Sequence, residues 1–218
     1  MPSLDFNLEA FQEEPVLGIL RGVAEGAVLD VASAAVSAGL KFIEITFNTP
    51  GAPALIEKTV KAFSGSLCVG AGTILSRKDA EAALSAGAKF IVSPTLNDRV
   101  AGFCRESQVA YFPGAYTPTE VEKAWDAGAE MVKIFPASQL GPAYFRELKG
   151  PFKHIRLMAV GGVRPDNIED FFLAGASAVA VGASVFSMAR MEDREFGAIE
   201  KDLREILLAV RQFYTKLK

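Results

Sequence analysis

The chain has 218 residues, half of them hydrophobic and 22% charged, and a formal net charge of −3 at pH 7. That length can bury one large core, and the acidic balance, with no basic run to neutralise phosphates, excludes a nucleic-acid binder. Cys68 and Cys104 stand apart, without metal or redox spacing, which suits a reducing cytosol.

Residues 1–14, MPSLDFNLEAFQEE, lack the basic segment and apolar core of a leader. No signal peptide is expected, and a short helix precedes the first strand. Eight strand-like runs then follow: VLGILRG (16–22), KFIEITF (41–47), LCVGAG (67–72), KFIVSP (89–94), VAYFPG (109–114), EMVKIFP (130–136), RLMAVGG (156–162) and SAVAVG (177–182). Alternate runs, from the second on, follow an Ala-Gly pair, at 38–39, 86–87, 127–128 and 174–175. Each pair closes an Ala-rich helical pattern, so its glycine reads as a helix C-terminal cap. The last helix, Glu195 to Leu217, carries a stripe at Ile199, Leu203, Ile206, Val210, Phe213 and Leu217.

Phe171 to Ala189 carries no charge and approaches the length of a membrane span. Its interior of Ala, Gly and Ser, broken at Gly175 and Gly182, favours helix end, strand and loop in a buried core, so no membrane span is expected. Apolar strands alternating with helix-length segments imply βαβ units and a parallel sheet. Eight of them predict an α/β fold, a single-domain (β/α)8 TIM barrel over residues 1–218. An open doubly wound sheet is the competing arrangement and needs a switch in strand order.

Barrel strands alternate between interior and helix layer, and reactions occur at their C-terminal ends. Val132 and Ile134 belong with the helices, which turns Met131, Lys133 and Phe135 inward. On the second run, Ile43 and Ile45 face outward and Glu44 inward, so Glu44 and Lys133 are expected as neighbours. Two readings follow. The pair either serves the fold alone, for which buried ion pairs are weak devices, or performs chemistry. A neutral lysine attacks a carbonyl to form a Schiff base, and a carboxylate moves the protons. Burial lowers the lysine pKa and a carboxylate raises it, so sequence leaves the net shift open.

The single histidine, His154, cannot build a His-rich metal site or a Ser-His-Asp triad, so no metal is expected. Gly161, Gly162 and Val163 follow the seventh run, and Gly182, Ala183 and Ser184 follow the eighth. Those loops are the common phosphate site of such barrels, although Gly-Gly also serves ordinary turns. Arg21 ends the first run, either to grip a carboxylate or to form a rim salt bridge. Thr73, after the third run, either binds substrate or caps the next helix.

The segments ILRG, IEITFNTP, VGAGT, FIVSP, FPGAYTPTE, VKIFPAS, GPAYFRELKGPF and AVGGVRPDN fall in order along nearly the whole chain. They resemble the class I 2-dehydro-3-deoxy-6-phosphogluconate (KDPG) / 4-hydroxy-2-oxoglutarate (KHG) aldolases, including the phosphogalactonate branch. The resemblance implies a cofactor-free, cytoplasmic, homotrimeric lyase. Its substrate would be a phosphorylated keto-sugar acid, split into pyruvate and glyceraldehyde 3-phosphate, or hydroxyoxoglutarate, split into pyruvate and glyoxylate. By the same resemblance Lys133 is the Schiff-base lysine and Glu44 the general acid/base. Thr73 contacts the pyruvyl carboxylate, Pro94 lines the pocket, and Gly162, Val163 and Ser184 belong to the phosphate site. Two positions depart from the gluconate type. Asn48 stands where several members have arginine, leaving the anion to Arg21. Val160, valine also in the galactonate branch, stands where the gluconate type often has threonine, and the two substrates differ at the C4 hydroxyl. The competing functions are another phosphate-binding barrel isomerase or synthase, or a non-catalytic barrel that binds a sugar acid phosphate.

Overall fold

The computed structural model describes residues 5–216; residues 1–4, within the segment read for a leader, and Leu217, the last of the predicted stripe, lie outside the described residues. Nine parallel strands form one sheet: β1 (Val16–Leu20), β2 (Phe42–Thr46), β3 (Cys68–Gly72), β4 (Phe90–Val92), β5 (Ala110–Phe112), β6 (Gly114–Ala115), β7 (Val132–Ile134), β8 (Leu157–Val160) and β9 (Ala178–Val181). Their order is β5-β4-β3-β2-β1-β9-β8-β7-β6.

The two ends of that order, β5 and β6, are halves of the single run VAYFPG extended by Ala115, so the sheet curls into a barrel. Pro113 divides the run because it has no N–H for a ladder. The Phe112 carbonyl accepts from Ser93 N–H on one side, and the Pro113 carbonyl accepts from Lys133 N–H on the other. The expected eight strands are therefore present, one of them in two pieces. The doubly wound alternative fails because its sheet would have two separate edges.

Ten helices accompany the strands: α1 (Leu8–Glu13), α2 (Val28–Ala38), α3 (Ala52–Phe63), α4 (Arg77–Ser85), α5 (Asp98–Glu106), α6 (Pro118–Asp126), α7 (Ala137–Lys149), α8 (Ile168–Leu173), α9 (Met188–Glu192) and α10 (Phe196–Lys216). Local chemistry starts several of them. Ser76 and Asn97 accept from backbone N–H groups of the turns they open, and Thr117 and Glu120 form a capping box. Gly39, Gly87, Gly128 and Gly175 all have positive φ, between 92° and 101°, after helices α2, α4, α6 and α8. These are the four expected caps.

The apolar stretch Phe171–Ala189 covers the end of α8, strand β9 and the next loop, and it enters α9, which the sequence pattern does not signal. Among the described residues no helix is long and apolar enough to cross a membrane.

Strand parity sorts the core in two. Ile43, Ile45, Val132 and Ile134 pack outward with the helices. Leu17, Ile19, Phe42, Phe90, Phe112, Met131, Met158 and Val160 pack inside the barrel with Phe11 of α1. Phe11 meets Phe42 edge-on at 4.9 Å between ring centres, and Phe6 meets Phe112 at 5.4 Å. Helix α1 thus closes the N-terminal end of the barrel with aromatic rings and leaves the other end for the loops.

Candidate active site

A cavity of about 520 Å³ opens at the C-terminal ends of the strands. Lys133, Arg21, Thr73, Pro94, Val160, Gly161, Gly162, Val163, Gly182 and Ser184 all line it. The structure therefore brings together ten of the eleven residues singled out from sequence. Glu44 is the eleventh and sits inside the barrel wall, 1% exposed.

Lys133 is 5% exposed, and its Nζ lies 5.0 Å from the centre of the Phe135 ring. The expected closeness of Glu44 and Lys133 holds as an electrostatic relation but not as a bonded pair. Among the described residues neither side chain has an ion-pair partner within 4.0 Å, and Glu44 Oε2 is buried without a hydrogen-bond partner. Register explains the separation. Glu44 pairs with Ile19 of β1 and Gly70 of β3, whereas Lys133 pairs with Gly114 and Met158. The two therefore reach inward from distant strands.

Burial sets both protonation states. Desolvation raises the Glu44 carboxyl above 4.5, against the weaker opposing pull of Lys133 and Arg21. Desolvation lowers the Lys133 ammonium below 10.5, opposed by Glu44 and aided by Arg21. The question sequence left open is answered: for both groups the loss of water outweighs the neighbouring charge. An amine easier to deprotonate faces a carboxyl easier to protonate.

A third-strand glycine makes room for that carboxyl. A Cβ at Gly72 would lie 2.2 Å from Glu44 Oε1, so any other residue there would push the carboxyl aside. The next residue, Thr73, has φ 56°, an uncommon and strained setting for a β-branched side chain. It does not cap α4, a task performed by Ser76. Its Oγ1 instead accepts from Arg21 Nη2 at 3.4 Å. Arg21 makes no ion pair among the described residues, so the rim salt-bridge reading gives way to a cation over the cavity. Asn48 does not line that cavity. Its neighbour Thr49 accepts from Gly22 N–H at 2.9 Å and lies 3.1 Å from the Thr46 hydroxyl, tying the ends of β1 and β2 together.

The glycine loops face each other across the same space. Gly161 and Gly162 have φ 99° and 74°, and a Cβ on Gly162 would come within 2.7 Å of Ser138 Cβ. The backbone N–H groups of Gly162, Val163, Ala183 and Ser184 donate to no other described residue. Four open donors on two loops at one cavity are suited to an anion. Among the described residues no three His, Cys, Asp or Glu side chains come together to hold a metal ion.

Sequence reasoning turned Phe135 inward without giving it a role, and missed four other lining residues: Ile19, Ala180, Phe186 and Met188. Parity alone identifies Ile19 and Ala180, which share the interior with Val160. Phe186 and Met188 carry no such signal, because they follow a loop and begin the unforeseen α9.

The sequence profile of the "KDPG and KHG aldolase" family matches residues 8–202. The 2-dehydro-3-deoxy-6-phosphogalactonate aldolase of Escherichia coli (strain K12) is 32% identical over 181 residues, 83% of this chain and 88% of that protein. The 2-dehydro-3-deoxy-phosphogluconate aldolase of Pseudomonas aeruginosa is 32% identical over 198 residues, 90% of this chain and 89% of that protein. A solved "native KDPGal" structure superposes with a TM-score of 0.89 at 28% identity, covering 97% of this chain and all of that one.

Proposed function

This chain belongs to the KDPG and KHG aldolase family and is an aldolase, hence a lyase, and from that premise we propose a cofactor-free Schiff-base mechanism on 2-keto-3-deoxy-6-phospho sugar acids. The observation that carries the proposal is a buried lysine whose ammonium is destabilised by burial, at the floor of a cavity lined by open anion donors. The neutral Lys133 amine attacks the C2 carbonyl, and the resulting carbinolamine loses water to leave a protonated imine. The imine draws electrons from the C3–C4 bond as the C4 hydroxyl gives up its proton. That bond breaks, releasing glyceraldehyde 3-phosphate and leaving an enamine on Lys133. Protonation of the enamine at C3 and hydrolysis of the imine then release pyruvate. Glu44 carries the protons in these steps, its raised pKa letting it act as acid and base in turn.

Arg21 and Thr73 hold the carboxylate end of the substrate, with Pro94 and Val160 as apolar walls. Gly162, Val163, Ala183 and Ser184 receive the phosphate through backbone N–H groups, on loops that Gly161 and Gly182 open. The same site accepts hydroxyoxoglutarate, which lacks the phosphate. The activity resides in one barrel domain over residues 1–218, working in the cytoplasm as a homotrimer.

Pyruvate release from the phosphogluconate and phosphogalactonate substrates, measured side by side, tests the reading. Turnover of at least one is expected, with the galactonate epimer favoured because Val160 offers no hydrogen bond. Turnover of neither, with both phosphate esters bound, would point to a barrel that binds without cleaving.

A further inference from the structure

Two side chains outside the cavity hold the two anion loops in place. Asn167 occupies the N-cap of α8, yet its side chain makes no capping bond to that helix. An asparagine there ordinarily accepts from the first turn of its own helix. Here Nδ2 donates to the Gly162 carbonyl at 2.9 Å, and Oδ1 accepts from Arg164 N–H at 2.8 Å. The amide thus spans the loop that contains Gly162 and Val163, whose own N–H groups stay open.

The facing loop has its own brace. Arg190 on α9 donates to the Val185 carbonyl at 3.3 Å through Nη1, and the same nitrogen pairs with Asp202 of α10 at 2.5 Å. Both partners are about 30% exposed, so the pair is anchored rather than solvated at a free rim. Val185 and Phe186 N–H in turn close on the Gly182 carbonyl, which leaves Ala183 and Ser184 N–H open. Neither Asn167 nor Arg190 lines the cavity.

We propose that Asn167 and the Arg190–Asp202 pair are positioning residues that preorganise the two halves of the anion cradle and so set the preference for phosphorylated over unphosphorylated substrates. The inference rests on the function proposed above. A preformed cradle lowers the ordering cost of binding without touching the reacting carbons. Loosening it should weaken phosphate binding and leave imine formation with pyruvate intact.

The experiment compares Asn167→Ser, Arg190→Met and Asp202→Asn with the parent enzyme. Three readouts are taken: KM for the phosphorylated substrate, competitive inhibition by inorganic phosphate, and the rate of borohydride-trapped pyruvyl adduct at Lys133. Serine keeps a good N-cap residue but cannot span to Gly162, which separates helix capping from loop bracing. Loss of one such hydrogen bond predicts a rise in KM, and in the phosphate inhibition constant, of about tenfold, with kcat and adduct rate within about twofold.

Asp202→Asn separates position from charge. It leaves Arg190 cationic, so a purely electrostatic role predicts tighter phosphate binding, whereas bracing predicts weaker binding. Unchanged phosphate inhibition in all three variants would overturn the proposal. So would an equal fall in adduct rate and phosphate affinity, or tighter binding in Asp202→Asn. Absence of adduct in the parent enzyme would instead sink the Schiff-base mechanism, and the phosphate inhibition constants would still report on the cradle.

Discussion

The two ends of the barrel solve opposite problems with the same strands. At the N-terminal end the interior is Phe42, Phe90 and Phe112, sealed by Phe11 and Phe6, with rings in edge and tilted contact. The plug itself is uncharged, and every ring in it finds a partner. At the C-terminal end the same interior faces carry Glu44 and Lys133, both buried and neither ion-paired among the described residues. Around them sit a strained threonine and loops with unpartnered N–H groups. The closed end holds the barrel together, and the open end tolerates desolvated charge and backbone strain because the rest of the fold fixes their positions. Stability and chemistry are separated along one axis.

Mutations at the two ends should therefore fail in different ways. Glu44→Gln keeps the shape of the side chain and removes the acid–base function proposed for it, so kcat should fall about 10²–10⁴-fold with little change in melting temperature. A loss of melting temperature without loss of kcat would make Glu44 a structural residue. Gly72→Ala drives a Cβ into the Glu44 carboxyl and should lower kcat about 10²-fold through misplacement alone. Wild-type kcat in that variant would show that the carboxylate position is not critical.

Phe11→Ala removes the plug and should lower stability by about 3–5 kcal/mol in denaturant unfolding. At temperatures where it remains folded, KM and kcat should match the parent enzyme. An activity defect in the folded variant would erase the distinction between the two ends. Val160→Thr is the smallest change, adding one hydroxyl to the cavity wall. It should shift the ratio of the two epimeric substrates severalfold, in keeping with about 1 kcal/mol for a single hydrogen bond. An unchanged ratio would remove Val160 as the discriminator.

Much of this arrangement was legible because it depends on local rules. Ala-Gly pairs ending helical stretches announce caps, and a period of two places Lys133 and Glu44 inside while Val132 and Ile43 face the helices. What escaped depends on three-dimensional closeness. The division of VAYFPG at Pro113 follows from which carbonyls its neighbours choose. The need for glycine at position 72 follows from where Glu44 Oε1 lies. The aromatic plug arises because α1 folds back under strands far along the chain. Helix α9 is only five residues long and begins after a loop, so no periodicity announces it. The distance between Glu44 and Lys133 was likewise invisible, since parity fixes the face and not the reach.

The central claim is that burial makes Lys133 a nucleophile. Burial lowers the Lys133 ammonium below 10.5, so the neutral amine accumulates as pH rises through that lowered value. The rate of pyruvate adduct formation should climb with pH and level off before the range of a free lysine; a limb at 10.5 or above would contradict the account. The most direct measurement is borohydride reduction with saturating pyruvate, followed by mass analysis of the peptides. The account predicts a single pyruvyl adduct, on Lys133. No adduct, or an adduct on another lysine, would contradict it.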